Sequence, residues 1–293
     1  MSEATPPILS GENNGQSVMD GIKRRTTGLP KRDIRSKSAP DGIPSHLPLV
    51  HVTAVGAALE IIEAGQLEMT LCPVFKKDLL YFFVLRPAYR MAESDAKSDQ
   101  INRFPFVFIV DPQHLTAPHH VYPFDTGGAF HGVFGDWPDP YVRLEDYELL
   151  PDLSAASGLI GWAFGSAINY FEGKVKPDLK KSLSPWESAA QSYLKIAGLA
   201  TSGGGRNRPD KRASAIEVAY AQHVALKDNA VFAILPKQLL ESGQIKNADF
   251  MAKLQATGMN WEIYDWHPNS SPDDFFDEVS KIARDYFKAR VPL

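Results

Sequence analysis

The stretch Asp78–Arg90, "DLLYFFVLRPAYR", decides how the chain is read. Leu79–Leu85 is an aromatic and aliphatic run of strand length. It then gives way to Arg86, Pro87, Tyr89 and Arg90, with Tyr81 inside the run. A strand that only fills a core has no need of two arginines and a tyrosine at its end. The stretch predicts a strand whose end meets a polar ligand.

Working outward, "LPLVHVTAV" predicts a short strand ending near His51. Thr53 is placed to cap a helix with Val55, Ala58, Leu59 and Ile62 on one face and Gly65 as its stop. A second strongly apolar strand is expected over Phe104–Val110. Residues 111–152 read as an ordered loop region, because linkers lack so many aromatics. Helices are expected over about 154–172 and 184–198, the second capped by Ser184 with Pro185 and Glu187 behind it. A mobile basic segment, "TSGGGRNRPDKRAS", precedes strands "AIEVAY" and "AVFAILP". A short helix near 237–256, a strand "WEIYDW" and a helix near 272–289 complete the pattern. Strands adjoin strands and helices stand aside, which predicts an α+β fold with a largely antiparallel sheet and flanking helices.

At 293 residues with 44% hydrophobic content, the chain can bury a sizeable core. Residues 1–45 are poor in large apolar groups and read as a disordered basic tail, leaving 46–293 as a single α+β domain. The tail carries Lys23, Arg24, Arg25, Lys31, Arg32, Arg35 and Lys37 against Asp33; a solvated leader is the simpler reading, a nucleic-acid or partner-binding arm the other. Cys72 is the single cysteine, so no disulfide framework exists and a reducing, cytoplasmic address is expected. No apolar run approaches the roughly 20 residues a membrane helix needs.

His114, His119, His120 and His131 cluster with Asp111, Asp125 and Asp136, but their spacing fits no strong zinc pattern. No metal is expected, and these histidines read as solvated or capping. Gly203–Gly205 lacks the Lys and Ser/Thr of a phosphate loop and reads as a hinge. No G-x-S-x-G elbow is present, and Cys72 has no histidine near it in sequence. Glu217, central in "AIEV", is costly to bury unpaired, unless it points to solvent between inward Ile216 and Val218.

The order His51-x-Thr53, then Tyr81-Phe82, then Glu217 resembles the ADP-ribosyltransferase superfamily of the His–Tyr–Glu type, and most of all its DarT-like toxins that modify nucleic acid. In that group a His-x-Thr precedes a helix similar to "ALEIIEAGQL". A tyrosine–phenylalanine strand runs into arginine and proline, as in "LYFFVLRP", and a glutamate strand follows a mobile loop, as in "AIEV". The chain departs from the pattern at Ile216, where alanine is usual, and at Phe83-Val84, where polar residues are common.

The resemblance implies a split sheet of the ADP-ribosyltransferase kind with NAD, as substrate, in its cleft. Glu217 would stabilise the ribosyl cation, with Arg86 as a second catalytic group on a phosphate. His51, Thr53, Tyr81 and Arg90 would bind NAD. It implies a toxin or defence effector with an antitoxin or regulator protein as partner. A nucleic-acid acceptor is expected because Ala215 stands where arginine-modifying relatives carry Glu or Gln. Arg206, Arg208, Lys211 and Arg212 lie in the loop before it. A non-catalytic nucleic-acid-binding or interaction protein, and an NAD glycohydrolase, are the competing readings.

Overall fold

A computed structural model describes residues 33–38, 42–89, 96–135, 139, 141–202 and 209–290. In chain order its elements are β1 (Leu49–Ala54), α1 (Val55–Ala64), β2 (Gln66–Leu67), β3 (Thr70–Cys72), β4 (Lys77–Val84), β5 (Pro105–Val110) and β6 (His120–Tyr122). Then follow α2 (Thr126–Phe130), α3 (Leu153–Ala163), α4 (Ala167–Glu172), α5 (Ser188–Ser202), β7 (Glu217–Tyr220), β8 (Val224–Ala225) and β9 (Ala230–Pro236). The chain closes with β10 (Glu241–Ser242), β11 (Ile245–Lys246), α6 (Ala248–Ala256), β12 (Asn260–Tyr264) and α7 (Phe276–Lys288).

The main sheet runs β12-β9-β5-β1-β4-β7-β6, with β3 added to β4. Only β12 and β9 pair in parallel; the other neighbours are antiparallel. The α+β class with a mostly antiparallel sheet and flanking helices therefore holds. Every residue of β5 is buried, as a strand covered on both faces requires, and its sequence is accordingly an unbroken apolar run.

The differences from the expected elements have local causes. Ala54, not Thr53, is the residue before α1, and no side chain caps that helix, while Gly65 ends it at φ 68°. The helix expected over 154–172 is two helices. Gly165 turns the chain at φ 81°, and Ser166 restarts it by accepting from the Asn169 N–H. Ser184 does meet Glu187, its N–H donating to Oε2 at 2.6 Å, but that contact orders a turn and α5 begins at Ser188. Of the segment 237–256 only α6 is α-helical; the β10–β11 hairpin takes up the middle, and Asn247 caps the helix by accepting from Phe250 N. β6, three residues within the expected loop region, is a strand the sequence reading lacked.

Part of the expected tail is packed. Ile34 is fully buried, and its N–H donates to the Asp146 carbonyl at 3.0 Å. Arg35 bonds Glu148 at 3.1 Å, and Lys37 pairs with Glu187 at 2.5 Å. One apolar anchor and two ion pairs thus order residues 33–38, which composition assigned to the tail. Lys23, Arg24, Arg25, Lys31, Arg32, Arg90, Gly203–Gly205, Arg206 and Arg208 lie outside the described residues. Among the described residues no helix is long and apolar enough to cross a membrane.

Candidate functional site

β1 pairs with β5 over its whole length, from Leu49 to Ala54. Against β4 it pairs only at Leu49↔Val84 and Val50↔Phe83. Beyond Val50 the two strands part, and His51 bridges them by donating from Nδ1 to the Tyr81 carbonyl at 2.9 Å. A carbonyl can only accept, so Nδ1 carries the proton. Burial lowers the His51 pKa, which keeps the ring neutral.

Register sorts the predicted residues onto the two faces of the sheet. Phe83 and Tyr122 both stand opposite Glu217, while Tyr81 and His120 both stand opposite Ala219. Directly paired residues share a face and alternate ones repeat it. Tyr81, Glu217 and His120 are therefore on one face. Val50, opposite Phe83, is on that face too, so His51 and Thr53 occupy the other. There the His51 ring meets Phe82 at 5.8 Å and Phe108 at 6.4 Å between centroids. The structure brings Tyr81 and Glu217 together; His51 reaches them only through the Tyr81 backbone.

Glu217 does not point to solvent between inward neighbours. It is 3% exposed, and Thr126 satisfies both of its oxygens: the hydroxyl donates to Oε1 at 2.6 Å and the N–H to Oε2 at 3.1 Å. Burial, and next the charge of Asp125, push its pKa well above the usual carboxylate range, against the pull of the Thr126 donors. Burial, then Glu217, also raises the Tyr81 phenol, whose hydroxyl donates to Cys72 Sγ at 2.8 Å.

His120 faces this carboxyl group. Its Nε2 lies 3.6 Å from Glu217 Oε1 and is buried without a hydrogen-bond partner among the described residues. Its Nδ1 is 2.9 Å from His119 Nδ1, and Phe75 covers the ring at 4.2 Å. Burial pushes the His120 pKa down from 6.5 to about 3. A folded pKa below the unfolded one means the neutral ring stabilises the fold above pH 6.5, and that stability is lost as pH falls from 6.5 toward 3. His120→Gln is therefore expected to flatten this acid limb. The unfolding free energy of wild type from urea titration should fall relative to that of the variant between pH 7 and pH 4, by an amount on the order of a few kcal/mol. Parallel profiles would show that His120 titrates normally.

Arg86 is set apart from that face. It is 2% exposed, and its Nη1 donates to the Ser214 hydroxyl at 2.7 Å and carbonyl at 3.0 Å. Its guanidinium carbon lies 5.3 Å from the centre of the Tyr170 ring. Tyr170 in turn donates to the Val84 carbonyl at 3.0 Å and accepts from the Ile216 N–H at 2.8 Å. Arg86 thus ties the end of β4 to the segment entering β7. Tyr89 is likewise structural, donating to the Pro272 carbonyl at 3.1 Å.

Of the expected acceptor-binding cations, Arg212 is engaged inside the protein. It pairs with Asp210 at 2.9 Å and Asp125 at 3.0 Å. Lys211 is half-buried, and burial followed by Arg86 lowers its pKa. His120, Asp125 and Thr126 were the residues that sequence reasoning missed as partners of Glu217. The one local signal was "DTGG", whose Asp–Thr pair marks a helix start but not its contact with Glu217.

A separate cavity of about 730 Å³ opens where β1 and β9 begin and β5 ends, lined by Asp111, Lys227, Asp228, Asn260, Tyr286 and Arg290. None of His51, Thr53, Tyr81, Arg86 or Glu217 lines it. Comparison of the chain with protein-family models, with curated proteins and with solved structures found no match.

Proposed function

We propose that this chain is an ADP-ribosyltransferase that cleaves the nicotinamide–ribose bond of NAD and transfers ADP-ribose to a nucleic-acid acceptor. The observation that carries the reading is Glu217, buried at the start of β7 with its carboxyl group held by Thr126, one strand away from Tyr81 on the same sheet face. The adjacency of β1, β4 and β7 supports it, because it keeps Tyr81 and Glu217 on neighbouring strands and ties His51 to the Tyr81 backbone from the other face.

In the reaction the bond between the ribose carbon and the nicotinamide nitrogen breaks, and its electron pair neutralises the pyridinium. Cation character then grows on the ribose, as in glycoside cleavage. An ionised Glu217 carboxylate beside that carbon would stabilise the positive charge as it develops, and so the transition state more than the bound substrate. Tyr81 would offer a ring face to nicotinamide. The acceptor attacks the ribose carbon and releases its proton to solvent, so that nicotinamide, the ADP-ribosylated acceptor and a proton are the products.

Incubating the protein with NAD and following free nicotinamide, with and without single-stranded DNA or RNA, tests the proposal. Release that depends on the oligonucleotide, with a mass gain of one ADP-ribose upon it, is the expected result. Release unaffected by any acceptor would make the chain an NAD glycohydrolase. Tyr81→Ala should weaken NAD binding by about 1 kcal/mol in calorimetry. Absence of NAD binding by wild type at millimolar concentration would overturn the reading.

A further inference from the structure

We propose that Arg212 is a positioning residue for Glu217, acting through Asp125 to aim both donors of Thr126 at the Glu217 carboxyl group. The role rests on Glu217 being the working group of NAD cleavage; the geometry stands without it.

Arg212 and residue 125 are locked to each other twice. The guanidinium donates from Nη1 to Asp125 Oδ2 at 3.0 Å, and the Asp125 N–H donates to the Arg212 carbonyl at 3.2 Å. Asp210 fixes the other edge of the guanidinium, accepting from Nε at 3.1 Å and Nη2 at 2.9 Å. The fork of an arginine is what allows one side chain to hold two carboxylates in a plane. Asp125 spends its second oxygen on the Gly128 N–H at 3.0 Å, so it starts α2 and leaves Thr126, the next residue, turned toward Glu217. Gly128 leaves room for this: a Cβ there would come within 3.2 Å of Asp125 Oδ2.

Charge couples the same groups. Asp125 is an anion near a buried carboxyl group, and it disfavours the ionised form of Glu217. Arg212 neutralises that anion while keeping Asp125 in place. The other groups facing Glu217 are His120 at 3.6 Å and Tyr122, its partner on β6, with Tyr81 on β4. Burial keeps the His120 ring neutral and the Tyr81 phenol protonated, so Asp125 is the anion whose screening matters.

The two members of the pair are expected to move Glu217 in opposite directions, which a merely structural contact would not do. In free protein labelled at glutamate side-chain carboxyls, the titration midpoint of Glu217 can be followed by carbon NMR. Arg212→Met should raise that midpoint by about one unit, since it uncovers Asp125 and loosens Thr126. Asp125→Asn should lower it: the amide carries no charge, its oxygen still accepts from Gly128, and the residue 125 N–H keeps its bond to the Arg212 carbonyl, so Thr126 stays aimed. A midpoint unchanged in either folded variant, or raised by both, would overturn the proposal. If Arg212→Met does not fold, Asp125→Asn decides alone. The titration uses no NAD. A wild type that releases no nicotinamide would therefore sink the transferase reading and leave the result on Arg212 standing.

Discussion

Glu217→Gln is expected to fold as wild type and to release nicotinamide from NAD at least about a hundredfold more slowly, the order expected for losing one electrostatic stabiliser of a developing charge. The amide matches the carboxyl group in shape. Its oxygen still accepts from the Thr126 N–H, and its NH₂ can donate to the Thr126 hydroxyl, so neither buried group is left without a partner. What is lost is the negative charge that can oppose the positive ribose.

The same variant carries a second signature, in stability. The folded pKa of Glu217 lies above its unfolded value of 4.5, so the fold gains from the protonated form below that value and loses this gain progressively as pH rises toward the folded pKa. The glutamine has no such dependence. Its melting temperature should climb relative to wild type from pH 4 upward and level off once Glu217 ionises in the fold. Turnover unchanged in a variant showing this stability profile would mean that Glu217 is a buried acid without a catalytic task.

Much of the sheet was legible because its strands are dense apolar runs whose type does not depend on distant partners. Leu79–Leu85 and Phe104–Val110 fall within a residue or two of β4 and β5. The long C-terminal helix was legible for the same local reason, since its apolar residues recur at helical spacing around Val279, Ala283 and Phe287. What the sequence did not disclose is made by contacts distant in the chain. Thr126 finds Glu217 from 91 residues away, and Arg212 finds Asp125 from 87. Neither pairing leaves a local mark. β6 was hidden because three residues are too short to show a period, and its strand character comes from pairing with β7.

The candidate site was legible as residue types, and only in part as a place. Tyr81 and Glu217 were expected together and do share a face, but the parity of β1 sends His51 to the opposite one. Parity follows from register, and register could not be read from either strand alone. Of the four cations before β7, Arg206 and Arg208 lie outside the described residues, while Arg212 is held by two carboxylates inside the fold, which its basic neighbours in sequence did not reveal.

Arg86 is the position where stability and chemistry can be separated. Truncation by Arg86→Ala removes two donors from Ser214, one contact with the Tyr170 ring and the volume of a nearly buried side chain. A cost of about 3–5 kcal/mol is expected, read as a lowered urea midpoint, because the cavity and the unpaired Ser214 carbonyl add. Arg86→Met tests something different. Among the described residues no carboxylate pairs with the guanidinium and its Nη2 has no hydrogen-bond partner, and burial lowers its pKa. Methionine keeps most of the stem while removing that desolvated charge, and replacing a buried charge by an apolar residue of similar volume is often neutral. The methionine variant should therefore stay within about 2 kcal/mol of wild type, the remaining loss coming from Ser214. With the fold retained, NAD binding by this variant reads the charge directly. Affinity equal to wild type is expected from the burial of Arg86 and its bonds to Ser214. A tenfold or larger loss would instead place the guanidinium on a phosphate of the dinucleotide, and would require the segment entering β7 to move when NAD binds.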